Sequence, residues 1–320
     1  MAPVLAAPKP ALPPTGDTPG GGGAGERAFS WGVRSAAIAV AAILVGVLAF
    51  LTIRGGPSMF AGAGDLPARA TSFFQLAGPL AFGSLWVAAI ALAFATLPAV
   101  GVALAATVYA PSPRFGRFLG AVLDLLAAVP SVVFGLWGLM VLAPLMTPVY
   151  GWLHDHLAFL PFFSGEPSVT GRTALTAGMV VGVMILPIMA AICRESFALT
   201  PPALMEAATA LGATRWEMVR TAVLPTARSG IVAGGMLALG RALGETMAVA
   251  MVLSATPFLI SFNVISPENP ATIAAFIASA FPESAGRQVD ALIGLGLVLF
   301  AISLLASIAG RRVARKAVAR

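Results

Sequence analysis

The sequence predicts an all-α membrane protein with six transmembrane helices, and three observations predict it. Of 320 residues, 58% are hydrophobic and only 10% charged, whereas soluble domains carry about 25% charged residues. Charge-free apolar runs recur along the chain; residues 35–53 are 19 such residues between Arg34 and Arg54, about 28 Å of helix and enough to cross a bilayer core. The basic residues gather at the ends of these runs, as the positive-inside rule requires. The net charge of +6 is therefore a mark of membrane topology. No polar face collects it into the basic stripe that nucleic acid would need, so nucleic acid is excluded as a partner.

Taken in order, residues 1–34 form a Pro/Gly-rich cytoplasmic tail. Its first 26 residues are Pro-, Gly- and Ala-rich and lack the basic start and apolar stretch of a secretory signal, so disorder is expected. The first span is 35–53. Residues 70–113 hold no charge over 44 positions, and their dense apolar part, 83–109, is the second span, with Pro98 inside it. The third span covers 119–146 and contains Asp124 and Pro130, the latter expected to kink it. Residues 147–172 read as a polar loop with an aromatic rim of Tyr150 and Trp152. The fourth span is 173–193, followed by a polar, helical loop over 194–228. The fifth span is 230–254, residues 255–288 form a proline-containing loop, and the sixth span is 290–310, ahead of a basic tail at 311–320.

Six spans put both termini on one side. That side then carries fourteen basic residues and the other four, with Arg241 left inside the membrane. Splitting 70–113 into two spans would move the clusters at 111–117 and 194–228 away from the N-terminal tail. The charge distribution therefore selects six spans with both tails cytoplasmic.

Several classes of chemistry are excluded. The single cysteine, Cys193, allows no internal disulfide and no cysteine-based metal site. The His154-x-His156 pair lacks a third ligand, so no metal is expected. Neither of the two lysines, Lys9 and Lys316, follows the Gly-rich loop of a nucleotide-binding P-loop. No nucleophile–base set is apparent, so the chain is not expected to be an enzyme. If ATP drives it, another chain holds the ATP and magnesium. An ion-driven secondary transporter would show an internal repeat of broken helices, and no repeat is evident.

The cytoplasmic loop RESFALTPPALMEAATALGATRWEMVRTAVLPTARS has the grammar of two short helices joined by glycine. Thr200 is placed to cap the first, with Pro201 in its first turn. Gly212 suits the left-handed residue that ends it, and Thr214 with Glu217 forms a capping box for the second, which Pro225 interrupts. Spacing alone leaves open an ordinary loop helix or a partner-docking element. The residues go further. Glu206-Ala207-Ala208, then Gly212, then Leu224-Pro225 resembles the EAA motif of ABC importer permeases, although Ala222 stands where that family prefers a bulky aliphatic residue. The resemblance implies a MetI-like type I fold, with the first short helix as the coupling helix that docks on a cytoplasmic ATP-binding subunit.

Two further stretches narrow it. DLLAAVPSVVFGLWGL (124–139) and RALGETMAV (241–249) are similar to phosphate-importer permeases, and Met247 with the 131–139 stretch resembles the PstC family more than its PstA-like partner subunits. The match covers roughly residues 83–310. It implies a permease of the bacterial inner membrane that imports inorganic phosphate with a second, PstA-like permease. Two PstB-like ATP-binding subunits and an extracytoplasmic PstS-like phosphate-binding protein would complete the importer. A permease for another oxyanion, molybdate or sulfate, is the alternative.

Arg241 and Glu245 stand four residues apart in an otherwise apolar run, a spacing that places both on one helical face. A central arginine costs about 2.5–3.5 kcal/mol on insertion scales. Two readings stand: an ion pair that holds this helix against its neighbours, or a lining for the translocation path in which Arg241 meets the anion and Glu245 neutralises it between passages. The resemblance favours the path. The Gly230xxxGly234 and Gly240xxxGly244 pairs suit close helix packing, within the chain or against a second subunit. Asp124 reads as a solvated helix-end carboxylate or as a partner for a gate arginine.

Overall fold

In the computed structural model, the described residues are 24–62, 64–110 and 112–318. Residues 1–23 of the expected disordered tail lie outside them. Among the described residues, six helices are long and apolar enough to cross a membrane. The chain divides into two units, residues 1–49 and 50–320.

The first unit contributes α1 (Ala24–Phe50), which starts eleven residues before the expected span and takes in 24–34. Nothing in AGERAFSWGVR breaks a helix once the Gly run has ended.

The second unit opens with a π turn (Leu51–Gly55) and a 3-10 turn (Gly56–Phe60). Next comes α2 (Phe73–Thr107), capped by Ser72, whose hydroxyl accepts from the Gln75 amide. It begins ten residues before the expected span and carries Pro79 and Pro98 inside it. On one face of α2, Ala88, Ala91, Ala95, Ala99 and Ala103 are fully buried. These small side chains let the backbone of α6 (Ala174–Ala198) approach closely. Helix α6, capped by Thr173, is the hub of the unit.

The third span differs most from expectation. Residues 113–128 form a separate amphipathic helix, α3 (Pro113–Ala128), and the membrane-length helix is Ser131–Leu157. Pro130 does not kink a continuous span; it ends one helix and starts another. The residue before a proline is pushed out of the α region, and Val129 accordingly adopts φ −66°, ψ 128°. The new span comprises α4 (Ser131–Trp137), a π turn (Gly138–Leu142) and α5 (Ala143–Leu157). Residues 147–157 of the expected polar loop are therefore helical. Tyr150, expected on its rim, is fully buried and hydrogen-bonds Thr173 and Thr176.

The cytoplasmic loop holds α7 (Pro202–Ala210) and α8 (Arg215–Met218). From α8 the chain stays helical through a π turn (Val219–Val223) into α9 (Leu224–Leu243). Pro225 sits at the start of α9 without interrupting the run, because its missing N–H falls where the π turn re-registers the hydrogen bonds. The fifth span does break at Gly244–Thr246, and α10 (Met247–Val252) follows.

The expected loop 255–288 folds back as a two-residue parallel ladder, β1 (Ala255–Thr256) with β2 (Asn269–Pro270), and a short apolar helix, α11 (Ile273–Ala280). The amide of Ile273 donates to Ser84 Oγ on α2. The last helix, α12 (Arg287–Val318), runs through the expected basic tail to Val318. It packs on α9 and on the turns at 51–60.

Candidate functional site

The site assembles where two sequence stretches meet. Helix α10 lies against α4, and the approach needs glycine: a β-carbon at Gly135 would sit 2.9 Å from Ala248 Cα, and Gly138 faces Val180 and Val252 in the same way. The VPSVVFGLWGL and RALGETMAV stretches are thus the two sides of one contact.

At the head of that contact α9 ends. Gly244 caps it, its amide reaching the Gly240 and Ala242 carbonyls. Arg241 and Glu245 are brought together, but not on one continuous helical face as the spacing predicted, because the break falls between them. Arg241 Nη2 lies 3.8 Å from Glu245 Oε2; the arginine side chain is 50% exposed and the glutamate 5%. Glu245 Oε1 also accepts from the Ala248 amide. The carboxylate is therefore held by the first turn of α10, while the guanidinium, too far from it for a hydrogen bond, is half exposed. This arrangement can offer a planar cation to an anion while a fixed buried carboxylate offsets its charge.

The glycine pairs separate by role. β-Carbons at Gly230 and Gly234 would meet Ser196 and Ile192 of α6, so that pair serves the chain's own packing. Gly240 faces open space. Asp124 is exposed on α3 and pairs with no arginine among the described residues.

The residues expected to dock lie together in the loop between the fourth and fifth spans. Gly212 has φ +84° and ends α7, as predicted. The capping box is present: Glu217 N donates to Thr214 Oγ1, and Glu217 Oε2 accepts from Thr214 N at 2.8 Å. Thr200 does not cap α7. Pro201 occupies the cap position, and the buried Thr200 hydroxyl has no partner among the described residues. Within the motif, Ala208 packs with Leu224 against the core, Pro225 is half-buried, and Glu206 and Ala207 face outward. Exposed Leu204, Leu211 and Trp216 share this surface. Sequence reasoning passed over them, although large apolar residues in a polar loop were a usable signal.

A second feature that the sequence did not disclose is Asn269. Fully buried, it accepts from the Ala174 amide at 2.8 Å and donates to the carbonyls of Arg172, Ser254 and Ser266. It ties the start of α6 to the exit of α10.

Six membrane-length helices with a helix–Gly–helix loop between the fourth and the fifth are the architecture of an importer permease. The chain belongs to the binding-protein-dependent transport system inner membrane component family, whose model matches residues 98–318, and within it to the PstC permeases. It is 41% identical over 300 residues to the phosphate transport system permease protein PstC 2 of Mycobacterium tuberculosis, covering 91% of this chain and 92% of the relative. Among solved structures it resembles an inward-facing form of the MetNI methionine ABC transporter, with TM-score 0.52 and 17% identity over 74% of this chain and 95% of that one. It also resembles a bacterial ABC transporter involved in import of the acidic polysaccharide alginate, with TM-score 0.54 and 14% identity over 90% and 99%. At these identities the structural likeness establishes the type I importer permease fold alone.

Proposed function

We propose that this chain is a transmembrane permease subunit of an ATP-driven phosphate importer. The observation that carries the substrate is the 41% identity, over nine-tenths of both chains, to a relative named for phosphate transport. Arg241 and Glu245 line the translocation path. The guanidinium fork matches two phosphate oxygens at once. Glu245, fixed at the start of α10, keeps the site close to neutral between passages, so that the anion is met and then released. The chain pairs with a second, PstA-like permease, and phosphate arrives from an extracytoplasmic binding protein.

Helix α7, with Glu206 and Ala207 on its surface, Ala208, Leu224 and Pro225 at its base and Gly212 just past its end, docks on one of two ATP-binding subunits. Those subunits hold the ATP and magnesium; this chain needs no cofactor. Closure of the ATP-binding pair moves α7, and the stiff run from α8 into α9 carries that motion to Arg241.

Labelled-phosphate uptake in cells that depend on this chain tests the reading. Wild type imports phosphate, excess sulfate or molybdate does not compete, and Arg241→Gln at matched membrane abundance is inactive. Uptake by Arg241→Gln at the wild-type rate would remove the pair from the path. Competition by molybdate or sulfate would reassign the substrate.

A further inference from the structure

We infer that a cavity on the cytoplasmic side, between α2, α3 and α6, binds the phosphate-bearing headgroup of an anionic membrane lipid. The cavity measures about 690 Å³ and is walled by Thr107, Ser112, Arg117, Arg194 and Glu195, among others. It lies at the ends of the second and fourth spans, on the side that the charge distribution makes cytoplasmic.

Four observations point to a lipid. Arg194 is partly buried yet makes no ion pair or hydrogen bond among the described residues. A partly buried cation without a partner is unfavourable, and an anion entering the cavity would relieve it. Arg194 also reaches α3: its guanidinium lies against Gly120, whose missing side chain leaves room for Nη1. The wall carries two arginines against one glutamate, so the cavity is cationic on balance. Finally, α3 presents Phe118, Val122 and Leu125 along one exposed face, with Phe118 64% and Leu125 71% exposed. An Arg-bearing amphipathic helix with such a face lies in the membrane interface, and basic pockets between spans on the cytoplasmic side take lipid headgroups. Headgroup phosphate in the cavity with an acyl chain along that face satisfies both halves; free orthophosphate would use only the first.

The inference does not depend on what the permease transports. It is tested on the assembled transporter by native mass spectrometry after incubation with phosphatidylglycerol or phosphatidylcholine. Wild type retains phosphatidylglycerol at least threefold better. Arg194→Gln abolishes that preference, and Glu195→Gln, which removes the wall's one negative charge, strengthens it. Arg194→Lys, which keeps the charge, retains part of the preference and shows that the loss in Arg194→Gln is not misfolding. Equal retention of the two lipids, or an Arg194→Gln variant that binds like wild type, overturns the proposal. Displacement of phosphatidylglycerol by millimolar orthophosphate assigns the cavity to the free anion instead. Retention by this chain alone but not by the assembled transporter assigns it to a partner subunit.

Discussion

The proposed role of Arg241 in the path depends on its spacing from one neighbour. Glu245 stands 3.8 Å away, close enough to offset the charge and too far to occupy the guanidinium donors. The fork geometry is what a phosphate reads, so charge alone is not sufficient. Arg241→Lys is expected to lower initial uptake at least tenfold, a loss of about 1.4 kcal/mol in transition-state terms, measured at matched abundance. Asn269 acts on stability instead. Asn269→Leu removes the acceptor of the buried Ala174 amide and the donor to the part-buried Ser254 and Ser266 carbonyls, while the Arg172 carbonyl keeps the Ser254 amide. Each orphaned group costs about 1–3 kcal/mol, so the midpoint of thermal unfolding in detergent falls by several degrees. An unchanged midpoint would mean that those groups find other partners. These two residues also differ in how far the sequence disclosed them. The Arg241–Glu245 proximity was legible because it is local, although the break that creates the geometry was not. Gly244 and Thr246 are weak helix formers, but neither forbids a helix. Asn269 was illegible because its partners lie up to 97 residues away.

Elements divide in the same way. The Thr214–Glu217 box and the turn at Gly212 follow from i,i+3 chemistry and a glycine's tolerance of positive φ, and both stand as read. The boundary at Pro130 went astray because a proline in an apolar run is compatible with a kink or with a new helix, and only packing decides. The decisive packing is α4 on α10 through Gly135. Gly135→Val inserts a branched side chain where a β-carbon already meets Ala248 Cα at 2.9 Å. Overpacking of this kind costs about 1–3 kcal/mol. Displacing α10 also moves the amide that holds Glu245, so uptake is expected to fall more than tenfold with a smaller loss of thermal stability. Stability loss with normal uptake would separate this contact from the site. At the other end of the machinery, Gly212→Ala forces a β-carbon into the left-handed region at φ +84°, costing about 1–2 kcal/mol. The substituted residue lies outside the core, so the chain still folds while α7 shifts. The expected signature is transporter whose ATP hydrolysis persists while phosphate uptake per ATP falls; parallel loss of both would point to failed assembly.

For the whole molecule, orientation is the property on which every assignment of side rests. It follows from the distribution of arginines rather than from any single contact. In a six-span topology the arginines at 114, 117, 194, 215, 220 and 228 fall to the same side as those from 311 onward in the sequence. An energetic preference of this sort is spread over many residues, which is why it could be read from sequence when the helix boundaries could not. The protein contains its own silent background for a direct test, since its only cysteine, Cys193, is fully buried in α6. Val169→Cys places a thiol at a position 90% exposed between the third and fourth spans, and Leu211→Cys places one at an equally exposed position beside Gly212. A membrane-impermeant maleimide added to spheroplasts is expected to label Val169→Cys and spare Leu211→Cys, and inverted vesicles should reverse the pattern. The reverse result in spheroplasts would place α7 outside. It would also remove the docking surface from reach of any ATP-binding subunit and move the lipid cavity to the outer leaflet. Labelling of both positions from one side would mean that an odd number of spans does not separate them, and α6 (Ala174–Ala198), the one membrane-length helix between them, would then be the first span to re-examine.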